Sequence, residues 1–251
     1  MRRYVIVVEY LGIGLHGWQI QENGPSVQGL LESALAPLNG GVPVPVTGAG
    51  RTDAGVHATG QVAHLDMERE IEPEKLVAAI NHHLKPAAVS VIGARLAPEG
   101  FHARFSATKR HYLYRIINRP ARLALEEGRA WHIAEALDEA AMREGAKRLL
   151  GHHDFTSFRA AQCQSQSALK TLDQLDVEQR GDEIRFTVSA RSFLHHQVRN
   201  MVGTLKLVGA GKWRPEDVSA ALEARDRAAA GPTAPPDGLY LTHVEYQEFG
   251  F

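Results

Sequence analysis

Two hydrophobic periods alternate along this chain of 251 residues, and their order leaves few architectures open. A period of two marks a half-buried strand, and a period near 3.6 marks a helix with one apolar face. "RYVIVVEY" (3–10) is a β-branched run that reads as a buried strand, with turn glycines after it. "SVQGLLESALAPL" (26–38) puts Val27, Leu30, Leu31, Ala34, Leu35 and Leu38 at helical spacing, with Ser26 placed to cap. Strands are expected at 42–47, 60–66 and 89–97, and a helix at 73–84 that Pro73 opens. "TKRHYLYRIIN" (108–118) reads as a strand with Arg110, Tyr112, Tyr114 and Ile116 on one face. The second half repeats the alternation. A helix at 138–151 precedes a polar loop at 152–167, then strands at 169–180 and 183–192 meet across a Gly181-Asp182 hairpin. A helix at 193–211 and a strand at 238–246 follow. Strands and helices mixed in this way, with antiparallel hairpins, predict an α+β fold of two similar βαββ-type halves. The halves are read as 1–107 and 108–251.

The chain is long enough for such halves to bury real cores. Its one cysteine, Cys163, excludes an intrachain disulfide and an all-cysteine zinc site, and fits a reducing compartment. The start has a basic lead and an apolar run, but Glu9 interrupts that run and no small-residue cleavage site follows. No stretch near 18 apolar residues exists, so no membrane span is expected and the chain reads as cytoplasmic. Net charge is −1, which selects no partner, but the charges are segregated. Residues 100–125 hold six basic side chains (Arg104, Lys109, Arg110, Arg115, Arg119, Arg122) and no acid. Residues 184–215 hold six more and no acid. Such segregation builds basic faces on a neutral protein, and basic faces bind phosphates.

Most motif-like features have ordinary explanations. "GIGLHG" (12–17) matches G-x-G-x-x-G after a strand, but Asn23-Gly24-Pro25 breaks the helix that a dinucleotide site requires. Histidine pairs at 82–83, 152–153 and 195–196 invite a metal, yet only "HHD" (152–154) has ligand-like spacing, so no metal is expected. Cys163 has no nucleophile signature around it. "GAGRTDAGVHATGQ" (48–61) is different, because four glycines surround Arg51 and Asp53. "TDAG" is good turn chemistry, and an Asx-turn or cap accounts for Asp53 on spacing alone. An aspartate on such a loop is also suited to act as nucleophile or general base, with Arg51 near enough to reach a phosphate.

With more of the chain in view, the residues resemble the tRNA pseudouridine synthase A family. "GAGRTDAGVHATGQVAHLD" (48–66) is similar to its catalytic motif. "GWQIQ…SVQGLLESAL" (17–35), "FHARFSATKRHYLYRI" (101–116), "HHDFTSFRAAQCQS" (152–165), "FLHHQVRNMVGTL" (193–205) and "TAPPDGLYL" (233–241) resemble its other blocks in order. The resemblance implies isomerisation of uridine to pseudouridine in the tRNA anticodon stem-loop, at tRNA positions 38 to 40, without cofactor or metal. It implies Asp53 as the catalytic aspartate and Tyr112 as the active-site tyrosine. Arg199 corresponds to the arginine that pairs with the aspartate, and Arg51 to the one thought to help flip the nucleotide. It further implies two ferredoxin-like halves in one continuous, mostly antiparallel sheet, with helices on one side and a central RNA-binding cleft, working as a homodimer. The sequence departs from the family pattern at Tyr10-Leu11-Gly12-Ile13, at "NHHLK" (81–85) and at "SQSALK" (165–170), where Gln166 and Lys170 replace common arginines. Two rival classes remain: a non-catalytic RNA-binding module indifferent to the Asp53 carboxylate, and a histidine-metal hydrolase sensitive to chelators.

Overall fold

A computed structural model describes residues 1–247. The described chain folds as two compact units, residues 1–110 with 240–247, and residues 111–239. Among the described residues it is mixed α and β, with ten strands in mostly antiparallel pairing and five α-helices. No helix among them is long and apolar enough to cross a membrane.

In the first unit, β1 (Arg2–Tyr10) lies between two antiparallel neighbours, β3 (His57–Met67) and β4 (Val89–Leu96). Being paired on both edges, Tyr4 to Val8 are all buried, which is why the strand reads as a continuous apolar run. β2 is only Val46–Gly48, because 42–45 stay outside the ladder. The C-terminal strand β10 (Leu239–Tyr246) returns to pair in parallel with β3, setting Tyr240 opposite His57 and Leu241 opposite Ala58. Helix α1 (Val27–Leu35) begins where the Ser26 hydroxyl accepts from the Gly29 N–H at 3.2 Å, and it buries Val27, Leu31, Ala34 and Leu35. Helix α2 (Pro73–Leu84) buries Leu76, Ile80 and Leu84. Asn81 ties α2 to β4 with a pair of 2.8 Å bonds to the Val91 backbone.

The second unit holds β5 (Ala107–Asn118, whose first four residues lie in the first unit), β6 (Trp131–Ile133), β7 (Gly151–Asp154), β8 (Leu169–Arg180) and β9 (Glu183–Ala190). The order is β5-β9-β8-β7, with β6 parallel on β5. Helices α3 (Glu139–Lys147), α4 (Gln197–Gly209) and α5 (Pro215–Ala224) bury Met142, Ala146, Val198, Met201, Val202, Leu205, Val208 and Val218. The Gly181-Asp182 hairpin forms as expected, with Gly181 at φ 59°. Four elements differ from the expectation. His152, His153 and Asp154 lie on β7 rather than in a loop, and β6 and α5 appear where no element was expected. Helix α4 starts at Gln197, not 193, since His196 at its N-cap takes φ 63° and the Gln197 side chain accepts the Leu194 N–H.

One buried histidine makes stability depend on pH. His64, on β3, uses Nδ1 to accept the Ala103 N–H at 3.2 Å. Burial, and then the positive charges of Arg3 and His102, push its pKa down from 6.5 to about 4. The unfolded chain therefore takes up the proton first as pH falls. This contribution is intact above about pH 6.5, declines below it and is lost near pH 4, a change of roughly 3 kcal/mol. Asp66, held low by its two bonds to the Arg3 guanidinium, titrates below that window. His64→Gln keeps an acceptor for Ala103, so it should make the fall in denaturant-unfolding stability between pH 6.5 and 4 shallower, with His102, whose pKa burial also lowers, contributing to what is left. An unchanged acid slope in that variant would assign the slope to other groups.

Candidate active site

Asp53 and Arg51 belong to the first unit, and Tyr112 and Arg199 to the second. The segment from Ala49 to Val56, between β2 and β3, carries Asp53 half-buried and Arg51 exposed. It has no regular structure, yet its backbone is held at nearly every residue. Ala49 N–H donates to the Val62 carbonyl at 2.7 Å. The Gly50 carbonyl accepts from Gln61 Nε2 at 2.8 Å. The Thr52 carbonyl accepts from the Trp18 N–H at 3.1 Å, and its hydroxyl meets Tyr10 Oη at 2.8 Å. Gly55 N–H reaches the Leu15 carbonyl, and Val56 N–H returns to the Asp53 carbonyl, both at 3.2 Å. A loop held in this way fixes the backbone from which the Asp53 carboxylate projects before any ligand arrives.

The glycines of "GIGLHG" explain why the loop fits. No helix follows them, so the segment makes no dinucleotide site. Instead, the backbone of 52–56 lies against Gly12 and Gly17. A Cβ on Gly12 would stand 2.3 Å from the Val56 carbonyl oxygen. One on Gly17, whose φ is +85°, would stand 2.4 Å from the Thr52 oxygen and 3.0 Å from the Asp53 carbonyl carbon. Gly12 N–H also donates to His57 Nδ1 at 2.8 Å, and the His57 ring lies 4.6 Å from that of Tyr240. The sequence motif is therefore the seat of the Asp53 loop.

Arg110 supplies an anchor for the Asp53 loop that the sequence does not reveal. Its Nη2 donates to the Ala49 carbonyl at 2.8 Å and to the Arg104 carbonyl at 2.7 Å, while Nη1 reaches the Ala107 carbonyl at 3.2 Å. One guanidinium thus joins the start of the Asp53 loop to the loop ahead of β5. Its place in the acid-free stretch 100–125 and its position on the strand face of Tyr112 are the sequence signals it offers.

In the second unit, Tyr112 is half-buried on β5 with its ring edge-on to Phe193 at 5.1 Å. Arg199 is half-buried on the first turns of α4, where Nε donates to the Ala234 carbonyl at 2.8 Å and its own carbonyl accepts the Ala234 N–H at 3.1 Å. That stretch is laced to α4 by buried polar groups. Gly231 N–H donates to Thr204 Oγ1 at 2.9 Å, and Thr233 Oγ1 to Asn200 Oδ1 at 2.7 Å. Tyr114 Oη donates to the Pro235 carbonyl at 2.8 Å, and burial raises its pKa well above the usual range. His195 and His196, expected inside a helix at 193–211, instead precede α4, and the His195 N–H donates to Cys163 Sγ at 3.3 Å. The residues of "HHD" have partners of their own. His152 meets Thr171 Oγ1, His153 the Leu150 carbonyl, and Asp154 accepts twice from Thr156.

Comparison with known proteins adds a family to this geometry. A family model described as tRNA pseudouridine synthase matches residues 6–106 and 146–247. Asp53, Arg51 and Arg199 fall inside the matched segments, and Tyr112 falls between them. The tRNA pseudouridine synthase A of Paramagnetospirillum magneticum is 60% identical over 250 residues, covering all of this chain and 97% of its own. That of Rhodopseudomonas palustris is 57% identical over 247 residues, or 98% of this chain and all of its own. That of Allorhizobium ampelinum is 56% identical over 252 residues, all of this chain and 97% of its own.

Proposed function

Since the chain belongs to the tRNA pseudouridine synthase A family, and is thus an isomerase of tRNA uridines, we propose that it acts on the anticodon stem-loop, at tRNA positions 38 to 40, with Asp53 as its essential carboxylate. The observation that carries this reading is identity of 60% across the whole chain to a tRNA pseudouridine synthase A. Asp53 is supported independently, by a loop that is irregular yet has backbone hydrogen bonds at six of its eight residues.

The reaction breaks the N1–C1′ bond, turns the uracil and joins C5 to C1′. The C5 hydrogen leaves as a proton and N1 gains one, so nothing is oxidised and no cofactor is consumed. Asp53 begins the exchange by attacking ribose or uracil, or by removing a ribose proton. A stem uridine must first leave its stack, at a cost of a few kcal/mol. Tyr112 offers the freed base an aromatic face, with stacking worth roughly 1–3 kcal/mol. Arg51 and Arg199 complete the substrate-contacting set, and the basic stretches 100–125 and 184–215 hold the RNA backbone without reading its sequence. The enzyme acts in the cytoplasm as a homodimer and needs no metal.

The test uses tRNA transcripts tritiated at uridine C5, because forming the C–C bond sends that tritium to water. The expected result is release from transcripts with uridine at positions 38 to 40, undiminished by EDTA. Transcripts with cytidine at those three positions should release none. Release from the cytidine transcripts would place the target elsewhere, loss in EDTA would favour a metal enzyme, and no release from any tRNA would favour the binding module. Light scattering at twice the mass of one chain would support the dimer.

A further inference from the structure

The loop ahead of β5 presents an aromatic ring outward on a rigid frame. Phe105 is 75% exposed, unlike Phe101 four residues earlier, which is 5% exposed. Four side chains fix the loop that carries it. Arg3 Nη1 donates to the Phe101 carbonyl at 2.7 Å, and Tyr246 Oη to the Ala103 carbonyl at 2.7 Å. His64 accepts the Ala103 N–H, and Arg110 holds the carbonyls of Arg104 and Ala107. His102 completes the frame from within, as Nδ1 accepts the N–H groups of Arg104 and Phe105 at 3.2 and 3.3 Å. Burial, and then the charge of Arg3, lower the pKa of His102, which keeps this nitrogen an acceptor at neutral pH.

Two groups make the exposed ring a recognition surface rather than a stray apolar residue. The His102 ring lies 4.4 Å from that of Phe105, tilted by 34°. The Arg104 guanidinium stands over the Phe105 ring at 5.7 Å. Flat ring, second ring and cation together suit an unstacked nucleobase with its phosphate, the combination that single-stranded nucleic acid selects. Charge favours the same occupant, because no acid occurs between residues 100 and 125. The platform is also tied to the Asp53 loop through the Arg110 bond to Ala49.

We propose that Phe105, with His102 and Arg104, is a base-stacking contact for the tRNA substrate, outside the four residues of the reaction site. This rests on tRNA being the substrate. The test measures tRNA affinity by fluorescence anisotropy for wild type, Phe105→Ala and Phe105→Trp. The alanine variant should bind about 5- to 150-fold more weakly, as expected for one lost stacking contact, and the tryptophan variant should bind close to wild type. Equal affinity in all three would overturn the proposal, as would an alanine variant that melts well below wild type. So would weaker binding accompanied by a change of mass in light scattering, which would assign the ring to contact between copies. Tritium release by wild type is measured alongside. Release with unchanged alanine affinity defeats the platform alone, whereas weakened alanine affinity without release defeats the reaction alone.

Discussion

Asp53→Asn is expected to bind tRNA and melt as wild type does, yet to release tritium from C5 at least about 10³-fold more slowly. Asparagine matches aspartate in shape but is neither a nucleophile nor a base at neutral pH, and losing a group of that kind costs several orders of magnitude. The loop should keep its path, because backbone groups hold it: Trp18 to Thr52, Leu15 to Gly55, and Asp53's own carbonyl to Val56. Circular-dichroism melting and filter binding verify that fold and affinity survive. A variant retaining a tenth of the wild-type rate would remove Asp53 from the chemistry and leave it a turn residue.

Gly17→Ala is expected to cost about 10²-fold in turnover while leaving the carboxylate in the chain. Its φ of +85° makes any side chain unfavourable by about 1 kcal/mol, but the larger effect is positional. The new methyl would sit 2.4 Å from the Thr52 oxygen and 3.0 Å from the Asp53 carbonyl carbon, both backbone atoms that cannot rotate away. The loop must shift, and a misplacement near 1 Å at a reacting group costs about 10²-fold. Gly14→Ala separates strain from displacement. Gly14 has a similar φ of +75° with nothing within 4 Å of its would-be Cβ, so it should lower stability by about 1 kcal/mol and leave turnover nearly intact. Equal losses of turnover in the two variants would refute the account of loop displacement.

What could be read from the sequence was what is decided locally. The Ser26 cap, Pro73 at the start of α2 and the Gly181-Asp182 turn are contests settled within a few residues, and the structure forms all three. For Asp53 the local spacing speaks only for a turn, and the catalytic expectation comes from the resemblance of several ordered blocks. The start of α4 differs from the expected 193 for a reason visible in Gln197: Leu194 continues the helical pattern, but a side-chain bond to the Leu194 N–H and a left-handed His196 end it. Helix α5 lies where no element is expected, although Pro215 opens it and Asp217 accepts the Arg214 N–H. The remainder was illegible because it acts at a distance. Arg110 reaches Ala49 across 61 positions, and the seat that Gly12 and Gly17 offer the Asp53 loop depends on folds of chain no periodicity records. Parallel pairing of β10 with β3 is equally silent in the pattern of either strand.

That last pairing orders events during synthesis. The unit that carries Asp53 is assembled from both ends of the described chain, whereas residues 111–239 form the other unit without interruption. At about 5–20 residues per second, a ribosome takes on the order of ten seconds to make the stretch in between. Throughout that interval His57 and Ala58 have no β10 beside them, and an unfilled strand edge invites other chains. The later unit can finish first, and the loop bearing the carboxylate gains its complete setting only when Tyr240 and Leu241 emerge.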